Sequence, residues 1–339
     1  MKIGFACKWI DFPQQTEGIK PTDDCKKYNN STTTVAWLSR QSKDIAEQKL
    51  WDLMVQNIES VSKLVEKVGT LNERLRMVRI GSDILPVYTH DNWRYFWRRA
   101  DVIQYCEKHF GKIGDIARGA NVRLSFHPGQ FTVLASDNPD IVNRSIEEFE
   151  YHATMAAWMG FGRSYQDFKI NVHIAGRQGP AGIRLAYQRL SPEARNCITI
   201  ENEENSWGLN DCLELADILP IVLDIHHHWV REGEYINPSD DRVRRVVDSW
   251  RGVCPTMHYS ISREDVLVDH NTGIMPEYRQ LLTGGYKKAR LREHSDFYWN
   301  TAVNDWALSF NSSFDIMCES KGKNLASFAL YDYAKLQNM

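Results

Sequence analysis

The stretch "CITIENEENSWGLNDCLELADILPIVLDIHHH" (197–228) decides the fold. It opens on an apolar, β-branched run ending in acidic and amide residues (CITIEN, 197–202) and passes through a helical pattern (209–218). It then returns to a second apolar run that closes on an aspartate and the first of three histidines (IVLDIH, 221–226). Strands separated by a helix-length crossover pair in parallel, because an antiparallel return needs only a short turn. Working outward, the same unit recurs. Strand-like runs stand at 2–7, 76–81, 122–127, 169–174, 197–202, 221–226, 256–260 and 314–320. Helical patterns fill 43–68, 95–119, 139–160, 182–194, 209–218, 240–250, 295–310 and 322–336, several behind start signals such as Asn138-Pro139 and Ser239. Eight strands alternating with eight helices predict an α/β chain forming a single (β/α)8 TIM barrel, one domain over 1–339. Segments 8–42 and 261–293 follow strands and are therefore long βα loops, expected at the C-terminal face where barrels build their sites.

Composition narrows the class. The 339 residues are 42% hydrophobic and 25% charged, with a formal charge of −3, and no apolar stretch approaches the roughly 20 residues that span a bilayer. No membrane role is expected. The start, MKIGFACKWI, lacks the apolar core and small-residue cleavage site of a signal peptide, so an intracellular, cytoplasmic protein is expected. Seven cysteines without a C-x-x-C pair argue against a disulfide framework. Positive charge concentrates in "DRVRRVVDSWR" (241–251) and "GYKKARLREH" (285–294), either as solvated helix faces or as contacts for a polyanion. No feature calls for a protein partner, and a monomer is expected.

Nearly every strand from the third onward ends in a side chain able to hold a metal: His127, His173, Glu201, Asp224 with His226, His227 and His228, His258 and Glu319. Strand two is followed, after "SDILPVYT", by His90. One histidine on an apolar strand is usually a satisfied core residue. A ring of them at one barrel end is different. Carboxylates buried among imidazoles, with no Lys or Arg at the same strand-end positions, call for balancing cations. Imidazole and carboxylate donors without thiolate favour manganese, zinc or iron. The donors exceed the needs of one ion, so two or three divalent ions are expected, an arrangement that cleaves phosphodiesters. His109 and His152 read as structural, and His270 is left open. Strand alternation alone would pair Asp224 with His226.

Taken together, "VRIGSDILP" (78–86), "VRLSFHPGQF" (122–131), "ITIENEE" (198–204), "VLDIHHH" (222–228), "EHSDF" (293–297) and "DIMCESKGK" (315–323) resemble the UV damage endonucleases, relatives of the apurinic endonuclease IV. The resemblance runs from about residue 1 to residue 335. It implies a metal cluster, usually manganese, that cuts DNA immediately 5′ of a lesion and leaves a 3′-hydroxyl. Matched motif to motif, it assigns metal ligation to His90, His127, His173, Glu201, Asp224, His227, His258, His294 and Glu319. It therefore selects His227 over His226, which requires the chain to leave strand geometry at about residue 226, with His226 packing and His228 at a DNA-side or surface position. It assigns lesion contacts to Gln130 and Phe131 after the Pro-Gly turn, and to the strand-one aromatic, Phe5. Three positions depart from the family: Phe131 and Phe5 stand where tyrosine is common, and Thr256 where some members carry lysine. The 261–290 stretch is also longer than usual.

On this reading Glu201 and Glu319 anchor the ions and orient the attacking water, with His258 setting geometry beside them. Gln130 bonds orphaned bases and Phe131 stacks in the gap of a lesion that already unstacks the duplex. Lys287, Lys288 and Arg290 contact phosphates, so the partner is damaged double-stranded DNA. Targets would be cyclobutane dimers, 6-4 photoproducts and abasic sites. The alternatives are a metal-dependent TIM-barrel sugar isomerase or epimerase, an abasic-site endonuclease of the endonuclease IV type, and a silent damage-binding protein. An isomerase has little use for a projecting "HPGQF" turn, and a silent binder would have lost the ligands that this chain keeps.

Overall fold

In the computed structural model, which describes residues 1–13, 17–20 and 22–337, eight parallel strands close into one barrel in sequence order. They are β1 (Ile3–Cys7), β2 (Met77–Ile80), β3 (Arg123–Phe126), β4 (Lys169–His173), β5 (Ile198–Glu201), β6 (Ile221–Asp224), β7 (Thr256–Tyr259) and β8 (Asp315–Cys318), with β8 pairing back onto β1. Each lies inside a run expected to be a strand, so the barrel expectation holds. The principal helices are α1 (Lys43–Gly69), α2 (Ala100–Gly119), α3 (Pro139–Trp158), α4 (Gly179–Arg189), α5 (Leu209–Leu213), α6 (Ile225–Glu232), α7 (Asp241–Ser249), α8 (Thr301–Leu308) and α9 (Lys323–Leu336).

The differences from expectation have local causes. The segment 182–194 breaks at an extended Leu190, and Pro192, which lacks an N–H, opens a separate turn over Pro192–Cys197. The expected 295–310 helix shortens to α8, which Asn300 starts by accepting a hydrogen bond from the Val303 N–H. Helix α6 has no counterpart among the expected helices. Its sequence, IHHHWVRE, has no apolar stripe, because the helix is buried on most of its circumference.

Period-two alternation divides the barrel into two chemistries. Ile3, Phe5, Val78, Ile80, Leu124, Phe126, Ile170, Val172, Ile198, Ile200, Ile221, Leu223, Met257, Tyr259, Ile316 and Cys318 join the core shared with the helices. Their strand neighbours turn inward, and there Met77, Ala6 and Met317 make only a small apolar cluster. Apart from Gly4 and Val222, the rest of the interior is polar, including Arg79, Ser125, Lys169, Asn171, Thr199, Glu201, Asp224, Thr256 and His258. A TIM barrel usually fills this space with branched apolar side chains. Here the interior supports a polar site at the C-terminal ends.

The seven cysteines carry no disulfide. Among the described residues no helix is long and apolar enough to cross a membrane.

Candidate metal centre

The three histidines separate because β6 ends at Asp224 and α6 begins at the next residue. Asp224 is the N-cap of α6, its Oδ1 accepting the His227 N–H at 2.7 Å, and Gly233 closes the helix in the left-handed region at φ 70°. Successive side chains on a helix point about 100° apart. His227 points at the strand ends, with Nδ1 3.1 Å from the Asn202 carbonyl oxygen and Nε2 3.6 Å from Glu204 Oε2. His226 turns away and stacks on Trp229, ring centroids 5.7 Å apart. His228, expected at a surface or DNA-side position, is 1% exposed and faces Glu234 at 3.4 Å. That expectation is corrected: α6 is covered by protein where His228 emerges.

Glu201, fully buried at the end of β5, is the hub. Its Oε1 lies 2.8 Å from His258 Nδ1, and its Oε2 lies 3.2 Å from His127 Nε2 and 3.9 Å from His173 Nε2. Glu319 Oε1 reaches the same His258 Nδ1 at 3.2 Å, and the Glu319 carbonyl oxygen is 2.6 Å from His294 Nδ1. Donor atoms of His127, His173 and Glu201 lie within 4.8 Å of one another, as do those of Glu201, Asp224, His258 and Glu319. Two groups sharing one glutamate have the form of a site for more than one cation. Asp224 supplies a further sign: its Oδ2 is buried without a hydrogen-bond partner, as is His173 Nδ1. Buried polar atoms are normally satisfied, and a divalent ion satisfies a carboxylate oxygen directly.

The charge balance is more nuanced than strand ends alone suggest. One layer below, Arg79 of β2 pairs with Glu319, and Lys169 of β4 places Nζ 2.9 Å from His258 Nε2. Arg79 thus supplies a cation against these carboxylates, with Lys169 beside them, and the premise that no Lys or Arg stands at the strand-end positions is corrected. Burial opposes the charge of Glu319, yet Arg79 and His258 outweigh it and hold the carboxyl well below its usual range. Glu201 is held down likewise, by His258 and His173 against burial. Asp224 goes the other way: burial, together with the Glu201 and Glu319 charges, pushes its carboxyl well above the usual range despite His227. Burial disfavours a charged His227, but Asp224, Glu201 and Glu204 outweigh it and raise the imidazole to about 10. Burial lowers His258 to about 4 and Lys169 to about 7. A carboxylate surplus around Asp224 is what a bound cation would relieve.

Of the ligands expected from sequence, eight surround this centre and His90 does not. His90 lies in the turn after β2, where its Nδ1 accepts the Asn92 N–H at 3.2 Å, and it is in neither donor group. It lines instead a cavity of about 890 Å³ with Phe131, Arg94 and Arg144. Phe5 is corrected as a lesion contact: it is fully buried on the helix side of β1, packed edge-on against Trp9, because Ala6 takes the inward direction. The Thr256 hydroxyl is buried and lacks a hydrogen-bond partner. Gln130 and Phe131 do project, Phe131 being 85% exposed, and Gln130 lines a cavity of about 440 Å³ with His173, Glu204, His227, Arg292 and His294. The basic run is partly spent inside the protein. Lys288 donates to the Glu204 carbonyl at 2.6 Å and Arg290 pairs with Glu293 at 2.6 Å, whereas Lys287 is exposed. Sequence reading missed Glu204, which Arg292 clamps at 2.9 Å, and Asn171, which donates to Glu201. The inward parity of "KINVHI" was the available signal for both Lys169 and Asn171. His109 stacks on Tyr105, His152 is fully buried with Nδ1 2.7 Å from the Glu148 carbonyl oxygen, and His270 Nε2 lies 2.9 Å from that of Ile274.

The family model described as UV-endonuclease UvdE matches residues 2–339. A UV-damage endonuclease of Schizosaccharomyces pombe is 28% identical over 350 residues, covering 99% of this chain and 51% of the relative, so the chain spans about half the length of that protein. A UV DNA damage endonuclease of Bacillus cereus is 26% identical over 310 residues, covering 89% of this chain and 88% of the relative. Among solved structures, that of SacUVDE superposes with a TM-score of 0.72 at 22% identity, covering all of both chains. Endonuclease IV from Thermus thermophilus superposes at 0.52 and 12% identity, over 82% of this chain and 95% of that one. Both likenesses concern the fold.

Proposed function

The chain belongs to the UV-endonuclease UvdE family, and on that premise we propose that it is a DNA endonuclease that nicks the backbone immediately 5′ of UV photoproducts, and at abasic sites, with a cluster of two or three divalent ions. Manganese fits the imidazole and carboxylate donors, as do zinc and iron. The observation that carries this reading is the convergence of two donor groups on Glu201, beneath an exposed Gln130–Phe131 turn. Bound there, divalent ions supply an acidified water and positive charge for the phosphate oxygens.

The chain's own residues do the rest. Glu201 and Glu319 anchor the centre, and a carboxylate oxygen of either can accept a hydrogen bond from the attacking water and hold it in line. His127, His173, His227, His258 and His294 set the spacing around them. Arg79 neutralises Glu319 from below and so keeps that carboxylate ionised. Phe131, with 85% of its surface free, is placed to enter a stack that damage has already weakened, and Gln130 to bond the bases left unpaired. Selection by deformability needs little base reading.

The test is an end-labelled duplex carrying one cyclobutane dimer, incubated with manganese and the protein. The expected product ends immediately 5′ of the dimer in a hydroxyl that a polymerase extends. A cut elsewhere, or an end that cannot be extended, contradicts the proposal.

A further inference from the structure

The barrel's middle layer holds a lysine that the reaction above does not use. Lys169 is 3% exposed and lies on the inward face of β4. Its amine stands 2.9 Å from His258 Nε2, and among the described residues this is the hydrogen bond that the amine makes. On the far edge of the same imidazole, Nδ1 lies 2.8 Å from Glu201 Oε1 and 3.2 Å from Glu319 Oε1. The two ring nitrogens are fixed relative to each other, so whatever holds Nε2 also aims Nδ1.

Among the described residues nothing else holds Nε2. Thr256 and Ser125, inward neighbours in the same part of the barrel, both have buried hydroxyls without hydrogen-bond partners. The next inward residue of β4, Asn171, plays a parallel part for Glu201: its amide donates to Oε2, and its own oxygen accepts from the Thr199 hydroxyl at 2.7 Å. At intervals of two residues, β4 therefore sets Lys169 under His258, Asn171 under Glu201 and His173 within the centre.

We infer that Lys169 is a positioning residue for His258, holding Nε2 so that Nδ1 is presented to the Glu201 and Glu319 carboxylates and to an ion between them. The inference rests on the reading of this cluster as a metal centre. A metal-binding imidazole usually has its second nitrogen held by a carboxylate, a backbone carbonyl or water. Here the Lys169 nitrogen takes the acceptor's place toward the Nε2–H, which an uncharged amine can do and an ammonium cannot.

Cobalt(II) added to chelator-stripped protein tests this, because its visible spectrum reports ligand geometry and competition with a chelator reports affinity. Lys169→Met keeps length and volume and removes the hydrogen bond, while Lys169→Gln keeps a polar end and serves if the methionine variant does not fold. With wild-type circular dichroism retained, either variant should bind one cobalt about 10–100-fold more weakly, the range typical for loss of such a partner, and with an altered spectrum. His258→Ala, which removes the ligand itself, should show a larger loss, and the double variant should lose little beyond His258→Ala, since a lysine acting through His258 has nothing further to contribute. Wild-type affinity and spectrum in the folded variants, or losses that simply add in the double variant, overturn the inference alone. A wild-type chain that takes up no cobalt overturns the metal reading and this inference with it.

Discussion

At the scale of single residues, the divergence of the three histidines gives the sharpest prediction. His227→Ala should lower the number of ions bound per chain, whereas His226→Ala should leave it unchanged, because His226 faces Trp229 while His227 faces the carboxylates. Elemental analysis after dialysis reads both, and equal losses would contradict the geometry. Phe131→Ala should weaken binding to irradiated duplex by about 1–3 kcal/mol, roughly 5- to 150-fold, with metal content intact. Unchanged affinity would rule out Phe131 as a wedge. Residues were legible in the sequence wherever chemistry and strand ends coincided, as at His127, Glu201 and His258. His90 shows the failing: a histidine after a strand is not at the strand end, and the turn carries it to another cavity. Phe5 failed by one residue of parity. Arg79 and Lys169 escaped notice because a cation in a strand reads as an exposed position, and only a polar barrel interior makes it an inward one.

Elements carry the next level. Helix α3 buries His152 against Phe126 and Tyr151, and burial lowers its imidazole to about 4 from 6.5. A depressed histidine is neutral in the fold and charged in the unfolded chain at acid pH. Its contribution is therefore complete above about pH 6.5 and is lost as pH falls toward 4, a difference of about 3 kcal/mol at most. In metal-free protein, denaturant unfolding of His152→Gln at pH 7 and pH 4.5 should show a shallower acid loss than wild type; an identical slope would refute the assignment. The 285–294 segment gives a different prediction. Lys287 is exposed to meet phosphate, while Lys288 and Arg290 are held by Glu204 and Glu293. Lys287→Ala should reduce the salt slope of DNA binding by about one, and Arg290→Ala should reduce it by less. Equal reductions would mean that the Glu293 pair opens when DNA binds. The elements themselves were largely legible, since strand runs and helix periods survive burial. Short helices inside the segments read as loops, such as Tyr278–Thr283, were not legible, and α6 hides its period because it is enclosed, although Asp224 and Gly233 mark its two ends.

The whole molecule is a barrel whose interior has been given to charge. The apolar surface that stabilises it lies between strands and helices, as the helix-facing set of side chains shows, and this frees the inward positions to support a site. That division sets different tolerances: the outer core accepts exchange among apolar side chains of similar size, whereas the inner layers are tied by specific hydrogen bonds. On the proposed reading damage selection and metal chemistry are joined in one molecule, and a single measurement reads both. Chelator-stripped protein is incubated with irradiated and unirradiated supercoiled plasmid, with and without added manganese, and nicked circles are counted. The expected result is nicking of the irradiated plasmid alone, only with manganese restored, and its loss in Glu201→Gln. Equal nicking of unirradiated plasmid, nicking without metal, or none with metal restored would contradict it.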